Sequence, residues 1–266
     1  MRVLILILFA SNITIAQQQA TQNFIATGTA SFAWNTNSLQ SVTDIATCST
    51  ALSNVLIIRD SIRGGLFIKY SGSDAADNGM VFTDALNNKW KRQTSSNILN
   101  AQWYGAKSDN EVTDNLPIFT AIKAYSKKHP QYRVIYFPYD STLEPIYNRY
   151  YFSDSILIDW DVTITGDGTY KNPKTRFYFP QNKPGIVVKY LNGSSGINVN
   201  IRNLRIAGAN GANNNTKHGI TIGATTNLYN ITIDLYDGNG IHIFYRQGRR
   251  LLFVVDPLSH HYGFFH

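Results

Sequence analysis

The stretch from residue 103 to residue 168 changes its hydrophobic period once, and this change constrains the fold more than any other feature of the chain. Its first part carries apolar residues at helical spacing, namely Ile118, Phe119, Ile122 and Tyr125. Beyond Pro130, short β-branched or aromatic runs alternate with turn residues, at 134–138, 150–152, 156–158 and 162–164. One amphipathic helix that leads into many short strands predicts a coiled β-structure whose open end is covered by the helix.

Short repeated segments beyond residue 168 strengthen this prediction. The form Gly-Ile-x-Ile/Val occurs at 196–199, 219–222 and 240–243, with offsets of 23 and 21 residues, and a second pair, 199–204 and 231–236, is offset by 32. Such periods are typical of a solenoid. Because side chains alternate along a strand, we expect the interior to be lined by Ile197, Val199, Ile201, Ile220, Ile222, Ile231, Ile233, Ile241 and Ile243. The outer face is expected to carry the residues between them, namely Thr221, Thr232 and His242.

The motifs around the predicted helix resemble the opening of the pectate-lyase superfamily, in the branch of rhamnogalacturonases and epimerases. They are Tyr-Gly-Ala-Lys at 104–107, Asp109 with Val-Thr-Asp at 112–114, Val-Ile-Tyr-Phe-Pro at 134–138 and Val-Thr-Ile-Thr-Gly-Asp-Gly at 162–168. The residues of the structural motif are Gly105, Asp109, Thr113, Asp114, Gly166, Asp167 and Gly168. The chain departs from the usual pattern at three places: at Ser108, at Asn110 and Glu111 in place of glycines, and at Asn115 in place of a second acidic residue.

The resemblance extends over residues 99–243 and implies an all-β fold, a single-stranded right-handed parallel β-helix with an N-terminal capping α-helix. It also implies an acidic polysaccharide as the partner. A small β-rich module ahead of the coil is indicated by strand-like runs at 55–58, 65–70, 79–82 and 90–92. The string from 64 to 93 resembles a module that precedes such β-helices in phage tailspike-like proteins.

The N-terminus predicts export. Met1 and Arg2 precede an apolar run at 3–10, and the small residues Thr14 and Ala16 lie at positions −3 and −1 of a signal-peptide cleavage site. The apolar run is shorter than a membrane span. We therefore expect cleavage after Ala16, no membrane span in the mature chain, and a secreted, periplasmic or cell-surface location. A buried strand or an uncleaved anchor is the alternative.

The predicted organisation has four parts. Residues 1–16 are the signal peptide, 17–98 hold a Ser/Thr-rich segment and the β-rich module, 99–243 form an incomplete β-helix, and 244–266 form an irregular tail. The tail is set apart because the glycine-led repeat and its turn chemistry stop at Phe244. The sequence leaves open whether the coil stops there as a fragment or after a shifted reading frame.

Composition and charge narrow the choice of partner. Charged residues make up 15 % of the chain and its net charge is +7, or +6 once Arg2 is removed with the signal peptide. A moderately basic exported protein suits an anionic glycan, whereas the export signal and the lack of a clustered basic motif argue against nucleic acid. Cys48 is the only cysteine, so no internal disulfide can form.

Few residues are candidates for catalysis or for substrate binding. In hydrolases of the resembling family, Asn-Thr-Asp, Asp-Asp, Gly-His-Gly and Arg-Ile-Lys lie on successive rungs, and none of these motifs occurs in this sequence. The remaining candidates for catalysis are Asp234, Asp237, His218 and His242. The candidates for substrate binding are Arg202, Arg205 and Lys217.

Ca²⁺ is the one cofactor that the resemblance implies. Asp234 and Asp237 are three residues apart and could bind it, but two carboxylates are a short ligand set. Turn capping is the alternative for these acids, and a polar ladder position is the alternative for both histidines, so no metal site is predicted. Asp114 is expected to be the N-cap of the helix, Asp109 to close the preceding loop, and Asp167 to serve in a turn.

Three functions remain open. The first is a secreted polysaccharide lyase or glycoside hydrolase of a pectin-like acidic polysaccharide, truncated and inactive in this form. The second is a non-catalytic glycan-binding or surface-attachment β-helix of the tailspike type, and the third is a structural fibre subunit that forms a homotrimer. Acidic clusters on consecutive outward rungs would favour the enzyme, whereas aromatic rows alone would favour binding.

Overall fold

The structure is a computed structural model, and it describes residues 38–48, 54–144, 148–169, 172–180, 183–189, 196–208, 218–234 and 240–243. The predicted signal peptide and the predicted tail at 244–266 lie outside these residues. The chain divides into two compact units, 1–95 and 96–266. Of the described helices, none is long and apolar enough to cross a membrane.

The first unit is a five-stranded sheet with a short helix, α1 (Thr43–Thr47). Its strands are β1 (Ser38–Leu39), β2 (Val55–Ile58), β3 (Gly65–Tyr70), β4 (Val81–Thr83) and β5 (Lys89–Arg92). They pair in the order β1-β2-β3-β5-β4, antiparallel except for β1 with β2. The core contains Phe67 and Trp90, both fully buried. The Asp84 carboxylate accepts the Trp90 indole N–H at 3.0 Å, which satisfies that donor inside the core.

The second unit begins with a strand, a 3₁₀ turn at Ala101–Tyr104 and one longer helix, α2 (Leu116–Lys128). Its strands are β6 (Ile98–Asn100), β7 (Val134–Phe137), β8 (Tyr150–Tyr151), β9 (Ile156–Ile158), β10 (Val162–Gly166), β11 (Gly168–Thr169), β12 (Asn172–Pro173), β13 (Thr175–Phe179), β14 (Ile186–Val188), β15 (Asn198–Gly208), β16 (Ile220–Ile222), β17 (Thr225–Asp234) and β18 (Ile241–Ile243). The strand β6 starts one residue before the predicted start of the coil.

Apart from β11 and β12, which form a separate antiparallel pair, these strands form three parallel faces. The first face runs through β6, β7, β10 and the first halves of β15 and β17. The second face runs through β8, β13 and the second halves of β15 and β17, and the third runs through β9, β14, β16 and β18. The described chain therefore winds through four coils: β7-β8-β9, β10-β13-β14, β15-β16 and β17-β18. This is a parallel β-helix, as the sequence predicts.

Two asparagines form the corner between the first and second faces. Asn203 and Asn230 interrupt β15 and β17 with left-handed backbone, at φ 56° and 52°, a conformation that asparagine tolerates better than most residues. The Asn230 side-chain amide donates to Oδ1 of Asn203 at 3.0 Å and to the carbonyl of Thr169 at 2.9 Å. The stacked amides hold the two bends in register at a spacing of 27 residues.

The structure corrects the predicted repeat in two respects. The pairing of β15 with β17 has an offset of 27, not 32, because Leu204 lies beside Ile231. The segment 196–199 leads into β15, whereas β16 stacks on β14, which is preceded by Gly185 and also reads Gly-Ile-x-Val. The occurrence of the pattern at 196–199 therefore does not belong to the same face as those at 219–222 and 240–243. The pattern does not distinguish the faces, because a turn glycine followed by alternating interior residues describes a strand on any face.

Glycine recurs before the strands of the third face because successive coils approach closely there. A Cβ on Gly219 would lie 2.3 Å from Ile233 Cγ2 and 2.9 Å from the carbonyl oxygen of Gly240. The backbone N–H of Ile220 donates to that same carbonyl at 2.9 Å. A side chain at position 219 would push these coils apart.

The helix α2 covers the start of the coil interior with its apolar side. Phe119, Ile122 and Tyr125 are buried, and the Phe119 ring lies 6.5 Å from Phe152 and 6.1 Å from Trp160, measured between centroids. The predicted capping helix is thus present.

The predicted N-cap is wrong by one residue. The N-cap is Asn115, and its side chain does not cap the helix; instead its amide donates to the carbonyls of Lys107 at 3.0 Å and Tyr151 at 3.1 Å. Asp114, one residue earlier, accepts the backbone N–H groups of Leu116 and Ser153, each at 3.0 Å. Its carboxylate thus satisfies the first helical N–H, as expected, and also ties the helix to the first coil.

Burial of the predicted interior residues declines along the coil. Val199, Ile201, Ile220 and Ile222 are fully buried, and Ile197 and Ile231 are nearly so. Ile233, Ile241 and Ile243, all in the fourth coil, are only partly buried. Of the three residues expected outside, Thr232 and His242 are partly exposed, but Thr221 is 7 % exposed. Thr221 is covered because it stands between Val187 and His242 of the adjoining coils.

Candidate functional site

Three arginines stand side by side on the second face. Arg176 of β13 lies opposite Arg205 of β15. On the other side of β13, Tyr150 lies opposite Phe177, so that Arg149, the residue before Tyr150, stands beside Arg176. Phe177 and Ile206 are fully buried in the interior, so the alternating arginines point outward. Neighbouring strands are about 4.8 Å apart, which brings the three guanidinium groups together as the arginine row: Arg149, Arg176 and Arg205.

The two outer members of the arginine row are paired with carboxylates. Arg149 forms an ion pair with Glu111, and Arg205 forms one with Asp234. Among the described residues, no carboxylate forms an ion pair with Arg176. Burial lowers the pKa of Arg176, and the positive charge of Arg205 lowers it further, against the opposing effect of Asp234. The group nevertheless stays protonated at neutral pH, so a half-buried positive charge occupies the middle of the row.

Two tyrosines border the arginine row. Tyr151 and Tyr178 lie opposite each other on β8 and β13, with ring centroids 6.4 Å apart and tilted by 41°. The Arg149 guanidinium lies 4.2 Å from the centroid of the Tyr178 ring, a cation–π contact. Burial and the charge of Glu111 raise the pKa of Tyr178. Its phenol is therefore neutral at pH 7 and can donate a hydrogen bond.

A strained loop delivers Glu111 to this face. Asn110 and Glu111 are consecutive left-handed residues, at φ 56° and 73°, and such backbone costs on the order of 1–3 kcal/mol for residues other than glycine. Asp109 closes the loop by accepting the Thr113 N–H at 2.9 Å and its hydroxyl at 2.6 Å. Sequence reasoning missed Glu111, although the signal was present: a side chain replaces glycine where the resembling pattern has one.

The predicted site residues fall in different places. Arg205 and Asp234 meet on the second face, but Arg202 lies on the first face, beyond the Asn203 corner and next to Tyr229. Lys217 and Asp237 lie outside the described residues. Sequence reasoning did not single out Arg149 or Arg176, because their proximity depends on the pairing of strands.

His218 and His242 lie together at the third face. Their rings stack with centroids 4.3 Å apart and planes 6° apart. The histidine pair therefore joins successive coils, although the strand register sets His242 opposite Thr221 rather than opposite His218. Its place on a face other than that of the arginine row separates it from the charged groups described above.

The structural-motif residues hold turns together. Gly105 ends the 3₁₀ turn with a left-handed φ of 94°. The Asp167 carboxylate accepts the Tyr136 hydroxyl at 2.7 Å and the Tyr139 N–H at 2.7 Å. Burial and this hydrogen bond raise the pKa of Tyr136 above its usual range. Asp167 is thus engaged within a turn, which agrees with the predicted structural role.

The described residues do not fit a calcium site. Within the described ranges, no three His, Cys, Asp or Glu side chains converge as metal ligands. Asp234 is engaged by Arg205, and Ca²⁺ requires six to eight oxygen ligands. No metal-dependent step can be derived from these residues.

Both carboxylates of this face are engaged by arginines. Glu111 is paired with Arg149 at one end of the arginine row, and Asp234 is paired with Arg205 at the other end. The face therefore presents two paired acids and, between them, the guanidinium of Arg176.

Two solved structures share this fold. One is WceF of Pantoea stewartii, described as a glycan biofilm modifying enzyme with a bacteriophage tailspike-like parallel β-helix fold; it matches with a TM-score of 0.54 and 16 % identity, over 77 % of this chain and 30 % of that one. The other is tailspike protein gp49 of the Acinetobacter baumannii bacteriophage Fri1, described as a capsular polysaccharide depolymerase. It matches with a TM-score of 0.56 and 13 % identity, over 79 % of this chain and 40 % of that one.

At such low identity, the two likenesses concern the fold. This chain spans less than half the length of either protein. No family model matches the sequence, and no curated protein does. The chain is therefore a parallel β-helix similar to those of tailspike and polysaccharide-depolymerase proteins.

Proposed function

We propose that this chain is an exported parallel β-helix protein that binds an acidic polysaccharide along the arginine row. The observation that carries the proposal is Arg176, a half-buried guanidinium with arginines on both sides. The planar fork of guanidinium donors matches a carboxylate. The partly exposed rings of Tyr151 and Tyr178 border the row, where they can pack against sugar rings.

Several features support the other parts of the proposal, namely the superfamily, the export and the polysaccharide ligand. The motif order at 104–114, 134–138 and 162–168 supports membership of the pectate-lyase superfamily, as does the parallel coil with its capping helix. The apolar N-terminal run supports export with cleavage after Ala16. The two similar solved structures belong to proteins described as modifying or depolymerising glycans, which supports a polysaccharide as the ligand.

Binding without turnover is favoured over catalysis because none of the catalytic motifs of the resembling family's hydrolases occurs in the sequence. A lyase needs a base that removes a proton next to a uronate carboxyl group, usually an arginine or a lysine, and two of the three arginines are engaged by carboxylates. The raised pKa of Tyr178 keeps its phenol neutral at pH 7. Lyase activity remains the second candidate, because a neutral Tyr178 in contact with Arg149 could donate a proton to a leaving oxygen.

The test uses the full chain after signal cleavage and measures retention on immobilised polygalacturonate, with dextran as the neutral control. We expect retention on polygalacturonate that weakens as salt is raised, and its loss in Arg176→Gln. The matched control is Arg59→Gln, an exposed arginine of the first unit, which should bind as the parent does. Equal retention of both variants, or retention on dextran, would contradict the proposal.

The same samples distinguish binding from turnover and report the assembly state. We expect no rise in 235 nm absorbance and no new reducing ends from uronate polymers. A rise in 235 nm absorbance that is lost in Tyr178→Phe would establish the lyase instead. Sedimentation equilibrium tests the homotrimer, which we propose as the assembly of the alternative structural fibre role.

A further inference from the structure

The charges along the arginine row nearly cancel, and this balance bears on which polysaccharide the row selects. Three guanidinium groups meet two carboxylates, because Glu111 is paired with Arg149 and Asp234 with Arg205. The row therefore carries one uncompensated positive charge, 3 − 2 = +1, at its middle member. The following inference rests on the proposed function and deepens it.

The two carboxylates are built into the face rather than placed there by chance. Glu111 reaches Arg149 from a loop held in left-handed backbone at two consecutive residues. Asp234 reaches Arg205 from the next coil, where it lies opposite Ala207, two residues beyond Arg205. Like charges on adjacent strands repel, so each acid relieves the crowding at one end of the row. The middle arginine is left for a ligand.

The members of these pairs are partly exposed to solvent. The exposed fractions of the side chains are 23 % for Arg149, 36 % for Glu111, 42 % for Arg205 and 24 % for Asp234. Ion pairs that are partly buried are screened less by salt than fully exposed ones. A ligand carboxylate that approaches Arg149 or Arg205 meets the negative charge of Glu111 or Asp234 beside it, whereas Arg176 forms no ion pair among the described residues.

We propose that the row binds one carboxylate at a time, at Arg176, and that Glu111 and Asp234 select a polysaccharide whose acidic groups are separated along the polymer. A polymer with a carboxylate on every sugar places further negative charges beside both acids. Juxtaposed like charges discriminate against a partner as effectively as new contacts favour another. Glu111 and Asp234 are thus specificity-determining residues of the site, and Arg176 is the residue that binds the anion.

The test keeps the sugar and the linkage constant and varies only the spacing of charge. Hexagalacturonate is compared in three forms by isothermal titration calorimetry: with all carboxyls free, with about half of them methyl-esterified, and fully methyl-esterified. For the parent protein, we expect the half-esterified form to bind at least as tightly as the fully acidic form. The fully esterified form should not bind.

Variants sharpen this test without changing the shape of the face. Glu111→Gln and Asp234→Asn each remove one negative charge and free one arginine. In the double variant we expect the preference to shift toward the fully acidic hexamer by roughly tenfold, the size of one added charge-assisted hydrogen bond. Arg176→Gln should lose the binding of both acidic forms. Thermal melting of each variant checks that its fold is kept.

The outcomes separate the inference from the proposed function. If the parent binds the fully acidic hexamer more tightly, and the double variant leaves the ratio of affinities unchanged, the inference is wrong and the proposed function stands. If none of the three forms binds the parent, both are wrong. The parent protein alone gives the ratio of affinities for the half-esterified and the fully acidic hexamers, so the inference can be refuted even if a variant fails to fold.

Discussion

The interior of the first two coils differs from that of the fourth coil in both chemistry and burial. Beside fully buried aliphatic residues, the early coils contain a cluster of aromatic rings that are all fully buried, namely Phe137, Tyr150, Phe152, Phe177 and Phe179. The fourth coil is lined by aliphatic residues, of which Ile231 is nearly fully buried and three are only partly buried, namely Ile233, Ile241 and Ile243. The part of the coil with the clearest sequence repeat is therefore the part that is covered least.

This difference shows that the burial of a side chain in a solenoid depends on the coils on either side of it, not only on the residues of its own coil. Phe177 packs against Phe137 at 4.7 Å and Phe152 at 4.9 Å, centroid to centroid. These rings have coils or the helix α2 on both sides. Ile243 is paired with Ile222 on one side only within the described residues. Because each repeat contacts mainly its neighbours, the same side chain contributes less at the edge.

The largest effect is expected from the aromatic interior. Phe177→Ala should lower the free energy of unfolding of the second unit by about 3–5 kcal/mol, because it removes a fully buried ring from a close-packed cluster. Urea unfolding followed by circular dichroism measures the change. Phe177→Leu, which keeps most of the volume, should lose much less, and equal losses would show that the cluster is loosely packed.

The comparison between inner and edge coils is tested by two identical substitutions. Ile222→Ala should cost about 2–5 kcal/mol, because this side chain is fully buried. Ile243→Ala, at the paired position of the next coil, should cost less than half as much because the site is partly exposed. Equal losses would mean that the last described coil is covered as well as the third.

A smaller effect is expected at the corner that joins the third and fourth coils. Asn203→Ala forces a left-handed φ on alanine, which costs about 1–2 kcal/mol, and it removes the acceptor of the Asn230 amide. Asn203→Gly accepts the backbone conformation and loses only the hydrogen bond, so it should be the milder of the two in the same urea measurement. A milder alanine variant would show that backbone strain does not dominate there.

The smallest effect is expected where α2 meets the first coil. Asp114→Ala should lower the free energy of unfolding by about 0.5–2 kcal/mol, because Leu116 and Ser153 lose their acceptor. Binding of glycan per folded molecule should be unchanged. A loss of binding with unaltered stability would move Asp114 into the functional site.

The contribution of Asp114 also has a defined pH dependence. Burial alone would raise the pKa of Asp114, but hydrogen bonds from Ser153 and Leu116 outweigh it, so the pKa lies below its usual value. A lowered folded-state pKa means that the stabilisation is present above the unfolded pKa of about 3.9 and is lost as the pH falls through the folded value. The gap in stability between parent and Asp114→Ala should therefore close below about pH 4. A gap that persists in acid would contradict the assigned hydrogen bonds.

The amino-acid sequence by itself determined the class of the fold. The change from helical to strand period after Pro130, the turn residues between short apolar runs, and the apolar side of the capping helix are local patterns. Each follows from the geometry of one helix or one strand, so each could be read without knowledge of its neighbours. The structural role of Asp109 was predictable for the same reason, since its partner Thr113 lies in the same loop, whereas the carboxylate of Asp167 binds Tyr136 and Tyr139 of the preceding coil.

Only the tertiary structure decided the register of the coils and the composition of the site. The segments between strands vary in length, so that the third face repeats after 34 residues from Ile186 to Ile220 and after 21 from Ile220 to Ile241. Arg149, Arg176 and Arg205 are 27 and 29 residues apart in the chain, and no local pattern marks them as neighbours. They form a row because hydrogen bonding between parallel strands fixes which residues lie side by side, and that pairing joins residues that the linear sequence keeps far apart.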